Sequence, residues 1–208
     1  MKRSSGNLLT YTRAESIPHQ SGEKKRSTQV CQTYEEVRRA FTILCVGLVG
    51  SARRGERLDN APKEFDMLCA DERAHIVNVK RAVLYVGTFP LIFYAPDDEP
   101  RGLCEFVIAI DPATRAISCM SVEGVKSDGN RSGPHPHVMT DGRPCLADGQ
   151  QKIANWFADG KLARIAIYMM DFLELARGSN DYVSPTAWRA LTGEEVRQCL
   201  QLRRRGTS

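Results

Sequence analysis

The sequence predicts an α+β domain, an antiparallel sheet of about four strands packed with helices. Three observations lead there. A β-rich middle runs from Ile76 to Val122, with Val77, Val79, Val83, Tyr85 and Val86 in its first part. Cys104–Ile110 and Ala116–Val122 flank Asp111-Pro112-Ala113-Thr114, whose turn residues make the clearest hairpin signal in the chain. Further on, Leu162, Ile165, Ala166, Met169, Phe172 and Leu173 fall on one stripe of an amphipathic helix over Lys161–Ala176.

Residues 1–32 are polar, rich in Ser and Lys and aperiodic, which predicts a loosely attached arm. Thr33 then starts a helix, because Glu36 three residues on completes a capping box. Val37, Ala40, Phe41, Leu44 and Leu48 follow at helical spacing, although Gly47 and Gly50 leave a buried strand over Phe41–Val49 open. Residues 51–60 read as a charged turn, and Pro62–Ala70 as a short helix with Phe65, Leu68 and Cys69 inward. Leu91–Tyr94 is a second apolar run, closed by Ala95-Pro96-Asp97-Asp98, and with the hairpin it predicts an antiparallel meander. Residues 123–134 are rich in Gly, Ser and Asp and read as a loop. Lys152–Ala158 is a short helix ending at Asp159-Gly160, and Gly178 closes the longer helix after it. Asn180-Asp181-Tyr182 and Trp188 belong to a packed tail, and Thr192 with Glu195 opens a last helix through Leu202. The expected division is an arm over 1–32, one domain over 33–185, and a C-terminal helix with a basic tail over 186–208.

Composition narrows the functional classes. The 208 residues are 42% apolar and 26% charged, as in a soluble globular protein. A net charge of +4 is too small to argue for nucleic acid. Basic runs at Lys24-Lys25-Arg26 and Arg203-Arg204-Arg205 read as solvated ends, with contact to an acidic protein partner as the alternative. Seven cysteines, with no Cys-x-x-Cys pair, speak against a disulfide framework or a zinc ribbon and fit a reducing, cytoplasmic setting. Cys45, Cys69, Cys104 and Cys119 sit in apolar contexts and read as small core residues. Residues 1–32 hold no apolar signal region, and Ala40–Val49 is too short for a membrane span. Neither nucleic acid nor membrane is therefore an expected partner.

The chemistry concentrates in residues 133–149, Gly-Pro-His-Pro-His-Val-Met-Thr-Asp-Gly-Arg-Pro-Cys-Leu-Ala-Asp-Gly. Thr140-Asp141-Gly142 is a turn signal, since Asp-Gly tolerates positive φ. Pro134, Pro136 and Pro144 stiffen the chain and remove backbone donors. Such a segment is a poor helix or central strand. It makes a rigid platform that holds Cys145 at a surface with His135 and His137 near it.

His135-Pro136-His137-Val138, then Gly142, then Cys145-Leu146 resembles the active-site signature of ubiquitin-conjugating (E2) enzymes, in which a His-Pro-Asn tripeptide precedes the thioester-forming cysteine. The cysteine lies ten residues after the histidine here, as in that family, while His137 replaces the usual asparagine. The His-Pro-His form with Gly-x-x-Cys-Leu is most similar to the bacterial E2-like proteins. The tight match covers about 14 residues around His135–Leu146, and the looser order of elements residues 60–185. The resemblance implies a UBC-like fold, with the active-site loop after the sheet. It implies a carrier that binds the C-terminus of a ubiquitin-like modifier on Cys145 and transfers it to an amine acceptor. Its partners would be the modifier, an E1-like activating enzyme and a protein acceptor, and it would need neither cofactor nor metal. By the same resemblance His137 stands where an oxyanion donor or loop-shaping group is found, and His135 shapes the loop. Asp148 could orient an incoming lysine or take its proton, and it would equally serve as a helix N-cap.

Two other readings compete. His135-x-His137 with Asp148 eleven residues after His137 has the spacing of JAB-type zinc peptidases, with Glu105 or Glu123 as the upstream acid. Two imidazoles and a carboxylate would leave an open zinc position for water. Against this, Val138 stands for that family's proline and Cys145 for its serine. The third reading is a non-catalytic UBC-like binding module, a class that usually lacks the cysteine.

Overall fold

A computed structural model describes residues 33–94, 99–102, 104–129, 131–146, 149–175 and 183–206. The arm at 1–32, the Ala95–Asp98 closure, Gly178, the Asn180-Asp181-Tyr182 segment and Asp148 lie outside the described residues. The chain is a mixed α+β protein with a four-stranded antiparallel sheet and five α-helices among the described residues. None of these helices is long and apolar enough to cross a membrane.

Helix α1 (Tyr34–Gly47) begins where the capping box places it. Thr33 Oγ1 accepts from Glu36 N at 3.3 Å, and Glu36 Oε2 accepts from Thr33 N at 2.7 Å. Two donors that the first turn leaves unpaired are thereby satisfied, an arrangement worth about 1 kcal/mol. Val37, Phe41 and Cys45 face inward at four-residue spacing, so the strand alternative over 41–49 is not realised. The charged stretch 51–60 is not a turn either. After one 3-10 turn at Ser51–Arg53, helix α2 runs over Arg54–Cys69 with Pro62 inside it. Its buried positions are Arg57, Ala61, Phe65 and Leu68. The stripe is hidden in the sequence because its first member is an arginine, held in the interior by Glu64 at 2.8 Å. Pro62 removes the bond to the carbonyl of Leu58, a residue on the exposed side of the helix. Cys69 is only half-buried.

The sheet has the order β1-β2-β5-β6, with β1 at Ala74–Lys80, β2 at Val83–Thr88, β5 at Phe106–Asp111 and β6 at Ala116–Ser121. Strands β1 (Ala74–Lys80) and β2 (Val83–Thr88) divide what reads in the sequence as one run from Ile76 to Val86. The dividing turn is Arg81-Ala82, with φ 52° and 60°, the left-handed pair of a tight hairpin built without glycine or asparagine. Strand β3 (Ile92–Tyr94) does not join the meander as expected. It pairs with β4 (Pro100–Gly102) in a separate ribbon, and Leu91, Ile92 and Phe93 are buried there. Strands β5 (Phe106–Asp111) and β6 (Ala116–Ser121) form the expected hairpin. Its turn is fastened by Asp111, whose Oδ1 accepts from Ala113 N at 2.9 Å and whose Oδ2 accepts from Thr114 Oγ1 at 2.8 Å. Within 123–134, β7 (Lys126–Ser127) and β8 (Ser132–Gly133) make a short ribbon.

One face of the sheet is apolar in register: Val77, Val86, Ile108 and Cys119 align across it, as do Val79, Leu84, Ile110 and Ile117. Helices α3 (Gly149–Ala158) and α4 (Leu162–Glu174) follow the His-Cys segment. The stripe of α4 packs on β2 and β5, and α1 and α2 pack on β1. Helix α4 stops at Glu174, two residues short of the expected end. Helix α5 (Gly193–Gly206) opens on the Thr192–Glu195 capping box. Arg203 is not a solvated tail residue. It is 3% exposed and donates to the Pro90 carbonyl at 3.0 Å and to Glu174 at 2.7 Å, which anchors α5 to the end of α4.

Candidate functional site

The His-Cys segment leaves the edge strand β6 through the β7–β8 ribbon and turns sharply at Gly133. A Cβ at Gly133 would lie 2.6 Å from the Val138 carbonyl, so only glycine permits this approach. The Val138 amide then donates to the His135 carbonyl at 3.1 Å, closing a turn around Pro136, whose fixed φ suits it.

His135 is the brace of this turn. Its Nδ1 accepts from the His137 amide at 3.1 Å, which puts the ring proton on Nε2. Nε2 lies 3.0 Å from the Leu173 carbonyl and donates to it. Leu173 belongs to the last turn of α4, where carbonyls lack partners within the helix. The ring is fully buried among Phe93, Phe106 and Phe172, with centroids 5.7, 6.5 and 5.9 Å away. Burial, reinforced by repulsion from His137, pulls its pKa down to about 3, so the imidazole is neutral.

A miniature hairpin follows. Met139 N donates to Arg143 O at 2.9 Å, and Cys145 N donates to His137 O at 2.8 Å. Val138, fully buried, bridges Pro144 between them. The reversal falls where Thr140-Asp141-Gly142 predicts it, with Gly142 at φ 86°. Asp141 Oδ1 accepts from Arg143 N at 3.1 Å. The tip docks on the sheet edge, since Cys119 N donates to Gly142 O at 2.8 Å. A Cβ at Gly142 would meet Met120 Sδ at 2.6 Å. Gly142→Ala is therefore expected to lower stability by about 1–3 kcal/mol, from left-handed strain and the Met120 contact. Loosening of the hairpin is expected to raise the alkylation rate of Cys145, read by mass spectrometry beside a urea titration.

The structure thus brings His135, His137 and Cys145 into one unit, with the backbones of residues 137 and 145 facing each other. Cys145 is half-buried, on a loop outside the sheet. His137 is 8% exposed, with its ring Nε2 buried, and its ring centroid lies 5.9 Å from that of His135 and 6.1 Å from that of Phe172. Burial pushes the thiols of Cys45, Cys69 and Cys119 up to about 12, which leaves them protonated and unreactive near neutrality. For zinc chemistry, His135 would have to surrender one of two hydrogen bonds in the core. The proposed acids Glu105 and Glu123 are both exposed, and Glu123 pairs with Lys126 at 3.8 Å.

Two grooves flank the hairpin. On one side Arg131, Ser132, Met139, Thr140, Asp141 and Arg143 line a groove of about 330 Å³. On the other, Pro144 and Leu146 meet Ile117 of β6 and Ile153, Ala154 and Phe157 of α3 around a groove of about 270 Å³, with Arg115 and Arg143 also in its wall. The sequence reading missed this second groove and the Leu173 carbonyl beneath His135. The apolar spacing of Ile153, Ala154 and Phe157 was a visible signal for the groove, whereas a backbone carbonyl has no sequence signature. Comparison with family models, curated proteins and solved structures finds no match for this chain.

Proposed function

We propose that this chain is an E2-like carrier of a ubiquitin-like modifier, with Cys145 as its thioester-forming nucleophile. The observation that supports this best is the hairpin in which the His135-Pro136-His137 turn is hydrogen-bonded across to Cys145, which is half-buried rather than enclosed in the core. The mixed α+β class, with the Cys145 loop following a four-stranded antiparallel sheet, is compatible with the UBC-like fold the resemblance implies. The Cys145 thiolate attacks the carbonyl of a modifier's C-terminal thioester on an E1-like enzyme, and the activating enzyme's thiolate leaves. An acceptor amine then attacks the Cys145 thioester, loses a proton, and expels the Cys145 thiolate as the amide forms. In this scheme His135 holds the loop from below and His137 is the side-chain donor for the oxyanion. Asp148 is the group that would receive the lysine proton. No cofactor enters either step.

Charging tests the proposal. The protein is incubated with a modifier, its activating enzyme and ATP, and separated with and without reductant. His137→Ala is expected to slow transfer without unfolding the protein. The loss should stay below the ~10²–10³ in rate that removal of one oxyanion donor costs a hydrolase. Equal single-turnover rates for His137→Ala and wild type would remove His137 from the chemistry.

A further inference from the structure

We propose that the open face of the sheet binds a second copy of this chain, the two sheets stacking face to face about a two-fold axis that runs across the strands. This contact does not depend on the chemistry of Cys145. Helices α1, α2 and α4 pack on the face that carries Val77, Val86, Ile108 and Cys119. The opposite face of an antiparallel sheet ordinarily meets water with polar side chains. Here Ile76, Gly87, Val107 and Met120 stand in register across all four strands. Val122, whose amide donates to the Glu105 carbonyl at 2.9 Å, carries the ladder beyond β6. Val107 is 38% exposed, Met120 47% and Val122 63%. Asn78, Tyr85, Ala109 and Ser118 form the next row, so the middle of the face holds no charged side chain. Single exposed apolar residues are ordinary, whereas a row of them marks a contact surface.

The charges at the two ends of the face select its occupant. The β1–β2 and β5–β6 turns lie at one end and bring Lys80, Arg81 and Arg115 there, all exposed. Asp111 shares that end, but its carboxylate is taken up by Ala113 N and Thr114 Oγ1. At the other end stand Glu72 ahead of β1, Glu105 ahead of β5 and Glu123 after β6, all exposed. Arg73, next to Glu72, is held by Asp71 and Asp171. Among the described residues no ion pair engages Lys80, Arg81, Arg115, Glu72 or Glu105, and Glu123 has only Lys126 at 3.8 Å. A partner must therefore present an apolar middle, carboxylates at one end and cations at the other. A partner of one charge sign is opposed at one end. The same face of a second copy, turned end for end, is complementary at both. This stacking sets β1 over β1 and β6 over β6. Lys80 and Arg81 then face the partner's Glu72, and Arg115 faces the partner's Glu105 and the partner's Glu123. Four strands ~4.8 Å apart, each about six residues long at ~3.4 Å per residue, cover roughly 20 by 20 Å. That is about half the ~800 Å² per partner of a standard stable interface, so the dimer is reversible, with an expected Kd of about 10–100 μM.

Sedimentation equilibrium of the full chain, at protein concentrations spanning the expected Kd about tenfold on either side, provides the test. Wild type should pass from the monomer mass toward twice that mass, with a midpoint that moves to higher protein concentration as salt is added. Val107→Lys, in the middle of the face, should stay monomeric. The double variant Lys80→Glu with Arg115→Glu makes both ends acidic, and Glu72→Lys with Glu105→Lys makes both ends basic. Each alone should associate at least about tenfold more weakly, because two exposed pairs at each end of the dimer turn from attractive to repulsive. Mixed in equal amounts, the two should form a heterodimer at least as tight as the wild-type dimer, since acid then meets base at both ends. A misfolded variant could not be rescued in this way. A monomer mass for wild type throughout the range would overturn the proposal and leave the face to a different protein. A dimer as tight as wild type in Val107→Lys, or in both charge variants, would assign the contact to another surface. Charge variants that weaken the dimer but fail to restore one another would rule out the end-for-end stacking.

Discussion

Cys145→Ala abolishes the reductant-sensitive adduct with the modifier and leaves the protein folded; this is the expected result of the charging experiment. The hydrogen bond that holds residue 145 in place runs from its backbone amide to the His137 carbonyl, so it survives truncation of the side chain. Cys145 is half-buried outside the core, and removal of its thiol is expected to cost about 1 kcal/mol of stability or less. Cys145→Ser is expected to give a slower-forming adduct that survives reductant, because an oxyester resists thiol exchange. Gel shift with and without dithiothreitol reads the first effect, and urea denaturation the second. If Cys145→Ala still charged through another thiol, such as half-buried Cys104 or Cys199, the carrier role of this hairpin would be lost.

The second large effect is on stability and belongs to His135. His135→Ala removes the donor to the Leu173 carbonyl and opens a cavity among Phe93, Phe106 and Phe172. The combined cost should be on the order of 3–5 kcal/mol, a large share of a typical domain's stability. His135 also makes folding sensitive to acid. Its folded pKa is pulled down to about 3, below the ~6.5 of an unfolded histidine. Above pH ~6.5 neither state binds a proton at this ring, and its contribution to stability does not change with pH. As pH falls from ~6.5 toward 3, the unfolded chain takes up a proton that the folded chain refuses. Stability should then drop by up to about 1.4 kcal/mol per pH unit from this group. Asp66 and Asp71 are held below the ordinary carboxylate range by Arg38 and Arg73, and they lose their stabilisation only below roughly pH 4. The comparison therefore lies between pH 6.5 and 4.5, with His135→Gln as the non-titrating partner. Urea midpoints that fall with the same slope in wild type and His135→Gln would show that His135 is not the buried neutral group described above.

Most of what was legible in the sequence is local. The capping boxes at Thr33–Glu36 and Thr192–Glu195 join groups three residues apart, and the Asp111 turn is fastened within four residues. The stripe of α4 repeats every three or four residues. In the candidate site, the Asp141-Gly142 reversal was equally readable, because a positive φ and an Asp side chain bonded two residues on are properties of the segment itself. The antiparallel four-strand sheet was legible as a class, but one of its strands was misassigned. Arg81-Ala82 makes a tight turn without the residues that announce one, and the sheet pairing on either side holds it there.

The sequence by itself therefore determined the starts of α1 and α5, the β5–β6 hairpin, the α+β class and the turn within the His-Cys segment, all from contacts within a few residues. Only the tertiary structure decided what those contacts could not. Arg57 could be placed in the core only because Glu64 meets it there, and Arg203 became an anchor because Pro90 and Glu174 offer it acceptors from distant parts of the chain. His135 became a neutral brace rather than a titrating surface ligand because a carbonyl 38 residues away, at the end of α4, takes its proton-bearing nitrogen in a site walled by three phenylalanines. A polar side chain is at home in an interior only where a partner waits for it. Where that partner is distant in sequence or is a backbone carbonyl, no local pattern of residue types announces it.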